Sequence, residues 1–183
     1  MIAGGTSYNS AGRVYYFVGP TLTATVTSPS PGHSDWFGWA LAAELVGDDE
    51  WLVVGVPNGD YQIGRKTYSG IAYAYKMSSL PDPVWNLTMV AKKIQYTGYF
   101  ASSVALDDTK VIVGDYSYDA SRRLADSGSA FVYSLATGAY VETLGSPSAT
   151  QAGAFGGTVA MDEGRAVVTQ AGTNNVFVFN APT

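Results

Sequence analysis

One phrase recurs along this chain and limits its possible folds more than any single residue does. The phrase is glycine followed by small or apolar positions alternating with aromatics. It reads Ala11-Gly12-Arg13-Val14-Tyr15-Tyr16-Phe17, Ser69-Gly70-Ile71-Ala72-Tyr73-Ala74-Tyr75 and Ser127-Gly128-Ser129-Ala130-Phe131-Val132-Tyr133, with a worn copy at Asn174-Asn175-Val176-Phe177-Val178-Phe179. Ahead of the last three copies stands a second phrase: Phe37-Gly38-Trp39-Ala40-Leu41-Ala42, Phe100-Ala101-Ser102-Ser103-Val104-Ala105 and Phe155-Gly156-Gly157-Thr158-Val159-Ala160. Between the two comes an apolar run: Trp51-Leu52-Val53-Val54-Gly55, Val111-Ile112-Val113-Gly114 and Ala166-Val167-Val168-Thr169. A period of roughly 50–60 residues built from short β-type runs predicts sheet modules that stack or radiate.

Each full module reads as four short strands, A to D. The first has A near Gly38–Ala43, B at Trp51–Val56, C at Gly70–Tyr75 and D at Val84–Val90. The second has A at Ser102–Leu106, B at Lys110–Val113, C at Ser129–Tyr133 and D near Tyr140–Thr143. The two-residue alternation of Ile71-Ala72-Tyr73-Ala74-Tyr75 belongs to a sheet whose faces differ. Partial modules flank these: the tail of a B strand at Met1–Gly5 with C at Arg13–Phe17 and D at Thr21–Thr27, and a closing set at Thr158–Met161, Arg165–Val168 and Val176–Phe179. The expectation is therefore an all-β chain of four-stranded antiparallel β-propeller blades, about three blades' worth and about thirteen strands. Its parts fall near 1–28, 36–92, 99–145 and 154–180 of a single domain. Propellers close with typically four to eight blades, so the ends need completion. Two explanations are open: two chains finish one six-bladed ring, or the chain is a piece of a larger propeller.

Composition narrows the partners. The 183 residues carry a net charge of −5, which argues against nucleic acid or an anionic membrane as the main partner. Cysteine is absent, so disulfides, thiol catalysis and cysteine zinc sites are excluded. No apolar run is long enough for a membrane span, and Met1 opens no basic-then-apolar leader. Asn86-Leu87-Thr88 is a glycosylation sequon, a slight pointer to an extracellular or cell-surface protein.

These phrases resemble the FG-GAP repeat family, known from the propellers of integrin α-subunits. Phe37-Gly38 and Phe155-Gly156 match the Phe-Gly signature, whereas Phe100-Ala101 departs from it. Gly55-Val56-Pro57 approximates the Gly-Ala-Pro signature, and the other modules keep only its position. The resemblance covers nearly the whole chain. It implies a propeller used for adhesion or protein binding, without enzymatic activity. Calcium-binding members carry an alternating acidic loop between strands A and B, where oxygens converge on the ion. The matching stretch, Glu44 to Trp51, offers Glu44, Asp48 and Glu50 as candidate calcium ligands but without that spacing, and Asp107-Asp108 and Asp162-Glu163 are shorter still. The chain is thus expected to resemble the branch without calcium loops, and no cofactor is expected.

In an antiparallel four-strand blade, B–C and D–A loops share one rim. The B–C loops here carry tyrosine beside Asn or Asp: Tyr8, then Asp60 and Tyr61 within Pro57–Gln62, then Tyr116 and Tyr118. D–A loops add His33, Asp35, Trp36, Tyr96 and Tyr99. Tyrosine among small polar residues offers area and a hydrogen-bonding tip at low entropy cost. The candidate ligand-binding residues are therefore Tyr8, Asp60, Tyr61, Tyr96, Tyr116 and Tyr118; the same tyrosines would alternatively pack between blades. His33 is the only histidine, and its neighbours in Ser30–Asp35 are loop residues that cannot hold a catalytic triad in line. The expected function is a non-enzymatic interaction or adhesion module binding protein. A glycan-binding propeller and a structural component assembling through blade edges are the alternatives.

Overall fold

The computed structural model describes residues 2–7, 10–63, 66–81, 83–92 and 98–180. They form four antiparallel sheets in chain order. The first holds β1 (Ile2–Ser7), β2 (Ser10–Val18) and β3 (Thr21–Val26). The second holds β4 (Ala40–Val46), β5 (Asp49–Ile63), β6 (Lys66–Lys76) and β7 (Val84–Val90). The third is β8 (Ser103–Leu106), β9 (Lys110–Asp115), β10 (Ser129–Ser134) and β11 (Tyr140–Leu144). The fourth is β12 (Phe155–Asp162), β13 (Arg165–Gln170) and β14 (Asn175–Asn180). Within each sheet neighbours in sequence are neighbours in space, the up-and-down order of a blade. The described residues contain no α-helix, and no helix among them is long and apolar enough to cross a membrane.

The alternating phrase explains how the sheets stack. On β6, Tyr73 and Tyr75 face the first sheet, where they join Val14, Tyr16 and Val26. Ala72 and Ala74, one residue out of phase, face the third sheet and receive Phe100, Phe131 and Tyr133. On β10, Phe131 and Tyr133 point back, while Ala130 and Val132 meet Phe155, Val159 and Val168 of the fourth sheet. Each C strand thus packs a bulky face on the preceding sheet and offers the next a face of smaller or aliphatic side chains. Each buried aromatic contributes about 1.5–3 kcal/mol of transfer free energy at these junctions.

Glycine sets how closely the sheets approach. Gly12, Gly70 and Gly128 all take positive φ, at 89°, 86° and 79°. A Cβ on them would stand 2.2, 2.1 and 2.0 Å from the carbonyl oxygens of Phe37, Phe100 and Phe155. At two of these places, Gly12 with Phe37 and Gly128 with Phe155, the backbones form a parallel bridge between sheets. The glycine of one phrase is the notch into which the Phe-Gly turn of the next module, or Phe100-Ala101 in the third sheet, fits. A tyrosine clasp secures each of the first two junctions: Tyr75 donates its hydroxyl to the Thr27 carbonyl at 2.9 Å, and Tyr133 donates to the Val90 carbonyl at 2.7 Å.

The structure differs from the sequence reading in places. Among the described residues there are fourteen strands rather than about thirteen, with three in each end sheet as the partial modules imply. The first has the B, C and D strands and the last A, B and C, so they are not complementary halves of one blade. Pro57–Gln62 is not a loop; β5 runs through it to Ile63, paired with β6 across an irregularity between Val56 and Asp60. Glu44 and Glu50 are not loop residues either, since the connection between β4 and β5 is the tight turn Gly47-Asp48.

Candidate functional site

The rim carrying the starts of β4 and β8 and the end of β9 holds a row of stacked aromatic rings. Trp36 and Trp39 lie on the turn entering β4, Tyr99 on the turn leading to β8, and Tyr116 just past β9. Trp39 stacks on Trp36 at 5.2 Å between centroids, Trp36 on Tyr99 at 6.4 Å, and Tyr99 on Tyr116 at 5.3 Å. The interplanar angles are 25°, 12° and 9°, so the row stays close to parallel across two sheets. Pro57 and Ser102 complete a shallow pocket of about 190 Å³ along it. Trp39 is 55% exposed and Tyr116 36%, leaving both ends of the row open to solvent.

Repetition builds the row. Trp36 and Tyr99 each precede the phenylalanine that docks in a glycine notch, so the notch fixes their spacing. The same turn closes behind both: Trp39 N–H donates to the Trp36 carbonyl, and Ser102 N–H to the Tyr99 carbonyl. Trp36 sits at φ +64°, a conformation bulky residues seldom adopt and one that concentrates at functional positions. In the fourth sheet the corresponding positions are Ala154 and Gly157, and the row ends.

Two buried carboxylates support the row from beneath. Asp115 accepts hydrogen bonds from the backbone N–H groups of Tyr99 and Ser117, both at 3.2 Å, and from the Ser117 hydroxyl at 3.0 Å. Burial nevertheless dominates and pushes its pKa up to about 6. Asp35, next to Trp36, is also raised, first by burial and then by the charge of Asp60, against the lowering bond from the Gly32 N–H. Asn58 ties the same loop down, donating its side-chain N–H to the Ser34 carbonyl at 2.7 Å. The loops that carry the rings are thereby tied down by hydrogen bonds to their own backbone, a constraint that lowers the ordering cost of binding.

The expected site residues scatter around this row. Tyr116 is in it. Tyr118 turns inward, edge-on to Phe131 at 5.2 Å, and packs against the core between the second and third sheets. Asp60 is exposed on β5, in register with Ser69 and electrostatically close to Asp35. Tyr61 is placed on β5 by its backbone alone, and Tyr8 and Tyr96 lie outside the described residues. Trp39 is missed by the sequence because it falls within the strand expected near Gly38–Ala43. Superposing the three phrases would have found the row, since Trp36 and Tyr99 then fall at one position.

His33 is exposed with Nδ1 3.1 Å from the Ser34 hydroxyl, while the Asp35 carboxylate takes the Gly32 N–H. On the opposite rim, a cavity of about 420 Å³ lies among the A–B turns near Glu44, Asp107 and Glu163. Asp107 is already committed there, accepting from the N–H groups of Thr109 and Lys110 and from that of Gly164 in the next sheet. Glu50 accepts the Tyr16 hydroxyl at 2.6 Å, and Asp48 sits in the β4–β5 turn, so Glu44, Asp48 and Glu50 do not converge. Among the described residues, no three His, Cys, Asp or Glu side chains gather as a metal site. Asn86 is exposed at an irregularity of β7, with its side-chain oxygen accepting the Lys76 N–H. Compared with known proteins, the chain matches no family model and no curated protein.

Proposed function

We propose that this chain is a non-enzymatic interaction module of FG-GAP-like propeller blades, which holds a protein partner on its aromatic rim. The observation that carries the reading is the Trp39–Trp36–Tyr99–Tyr116 row, near-parallel, exposed at both ends and shared by two sheets. Aromatic anchors of this kind dominate protein interfaces because they bury much area with few rotors to freeze. An adhesive role at a cell surface fits the FG-GAP resemblance and the outward-facing Asn86. In that reading the ring is completed by further protein, since no hydrophobic cluster among the described residues joins the first sheet to the fourth.

A glycan is the second reading, favoured by the open ring of Trp39, which suits the apolar face of a pyranose. Both are tested together by binding to a panel of purified surface proteins and to a glycan array, comparing the native chain with Trp39→Ala and Tyr116→Ala. The first reading expects protein hits that both substitutions weaken at least tenfold while costing less than about 1 kcal/mol of stability. Glycan hits lost on Trp39→Ala give the second. Hits that survive both substitutions remove the row from the site.

A further inference from the structure

The fourth sheet shows a face that every other junction of the chain buries. By position in the repeat, Val176 and Val178 on β14 correspond to Ala130 and Val132 on β10, and Val167 and Ala160 to Ile112 and Ala105. In the third sheet Ala130 and Val132 are fully buried by the sheet that follows. In the fourth, Val176 is 61% and Val178 67% exposed. Paired aliphatic residues at such exposure on a flat sheet are the usual mark of an interface.

The same sheet also differs where a following module would dock. The notch glycines Gly70 and Gly128 are replaced at the matching position by Asn174, at φ +56°. Gly55 and Gly114, where a Cβ would meet the next sheet's backbone at 2.3 and 2.1 Å, are replaced by Thr169. The Thr169 hydroxyl is turned back onto β12, accepting the Thr158 N–H at 2.9 Å and donating to the Thr158 carbonyl. Both positions thus carry a Cβ where the other sheets have none, and a Cβ there would meet an incoming turn's backbone as it would at Gly128 or Gly114. Hence no Phe-Gly or Phe-Ala turn can enter this face as one enters the other sheets.

What covers the face must therefore be a bulky sheet surface that brings no such turn. The chain carries one: β2 bears Tyr15 and Phe17, both half-buried, at the positions of Tyr73 and Tyr75, on the side of the first sheet opposite to Val14 and Tyr16, which face the second. We propose that the aliphatic face of β12–β14 receives the aromatic face of β1–β3 of a second copy, head to tail, as a flat contact without turn insertion. The proposal rests on the blade reading above but not on the aromatic row, so it stands or falls separately from the ligand site. Because donor and acceptor faces are different, the contact is heterologous and closes into a ring or extends as a filament according to its rotation.

The test is light scattering after size exclusion over a dilution series, on the native chain, Val178→Lys and Tyr15→Lys, with circular dichroism to verify folding. Val178 is exposed, so its charged variant keeps the monomer fold. The expected result is association of the native chain, weakened by about a hundredfold in Kd by Val178→Lys, since the interface would bury an unpaired charge. Mixing Val178→Lys with Tyr15→Lys should restore one intact interface and give a heterodimer that goes no further. A native chain monomeric at every concentration overturns the proposal. So does association indifferent to Val178→Lys, or a mixture that fails to pair although both variants are folded. Binding on the aromatic row, read through Trp39→Ala, should be unchanged in all of these.

Discussion

Gly128 offers the sharpest test of how the sheets are joined. Substituting alanine imposes two separable costs. The first is conformational: φ is +79°, where an L side chain costs about 1–2 kcal/mol. The second is steric, because the new Cβ would lie 2.0 Å from the Phe155 carbonyl oxygen and 2.3 Å from its nitrogen. Both are backbone atoms and cannot rotate away, so the third and fourth sheets must part by about 1 Å, an overpacking cost of about 1–3 kcal/mol. Gly47→Ala is the control, since φ there is +61° with nothing within 4 Å. Gly128→Ala should lose about 2–5 kcal/mol in urea unfolding and Gly47→Ala about 1–2, or at mid-range roughly 10 °C against 4 °C in Tm. Hydrogen exchange should locate the excess loss in β12–β14, the sheet released. Equal losses for the two alanines would refute the notch, leaving conformation alone as the reason for glycine.

Three further outcomes follow from the geometry. Asp115 has a folded pKa of about 6 against an ordinary value of 3.8, so its penalty is absent below about 4 and complete above about 6; native stability should fall by about 3 kcal/mol as pH rises through that window, and Asp115→Asn should remove that slope in thermal melts at pH 4 and pH 7. An unchanged slope would reject the assignment. Tyr133→Phe should cost about 1 kcal/mol by leaving the Val90 carbonyl without its clasp, whereas the deeply exposed Val176→Thr should be nearly neutral in the same assay. Tyr118→Ala should lose about 2 kcal/mol or more through its contact with Phe131, and Tyr116→Ala less than about 1 kcal/mol; the reverse order would mean that Tyr116, not Tyr118, is the packing residue.

Local patterns made much of the sheet order readable. Val84–Val90 forms β7 with the bounds its composition predicts, and the Tyr-Ala-Tyr alternation on β6 marks two unlike faces. What was hidden depends on contacts between modules. Gly38 and Trp39 fall in the expected strand, but Phe37 just before them is drawn into a bridge with Gly12 of the previous sheet and they form the turn after it, so β4 begins only at Ala40. Pro57, Asn58 and Gly59 have turn chemistry, yet pairing between Asp60 and Ser69 beyond them keeps β5 extended past the irregularity. Tyr118 and Tyr116 are two residues apart with the same composition around them; only the fold turns one onto Phe131 and stacks the other on Tyr99. The aromatic row was half legible for that reason: its tyrosines were on the expected rim, but Trp39 was concealed within an apparent strand.

Every hydrophobic cluster in the described residues joins one sheet to the next and none skips a sheet. Such an arrangement has one-dimensional energetics, in which a module senses only what lies on either side of it. Duplicating or deleting a complete module would then change the length of the array while leaving each surviving seam as it was. The glycine-for-phenylalanine fit is what makes such exchange safe, because any module that keeps its notch can accept any other that keeps its turn.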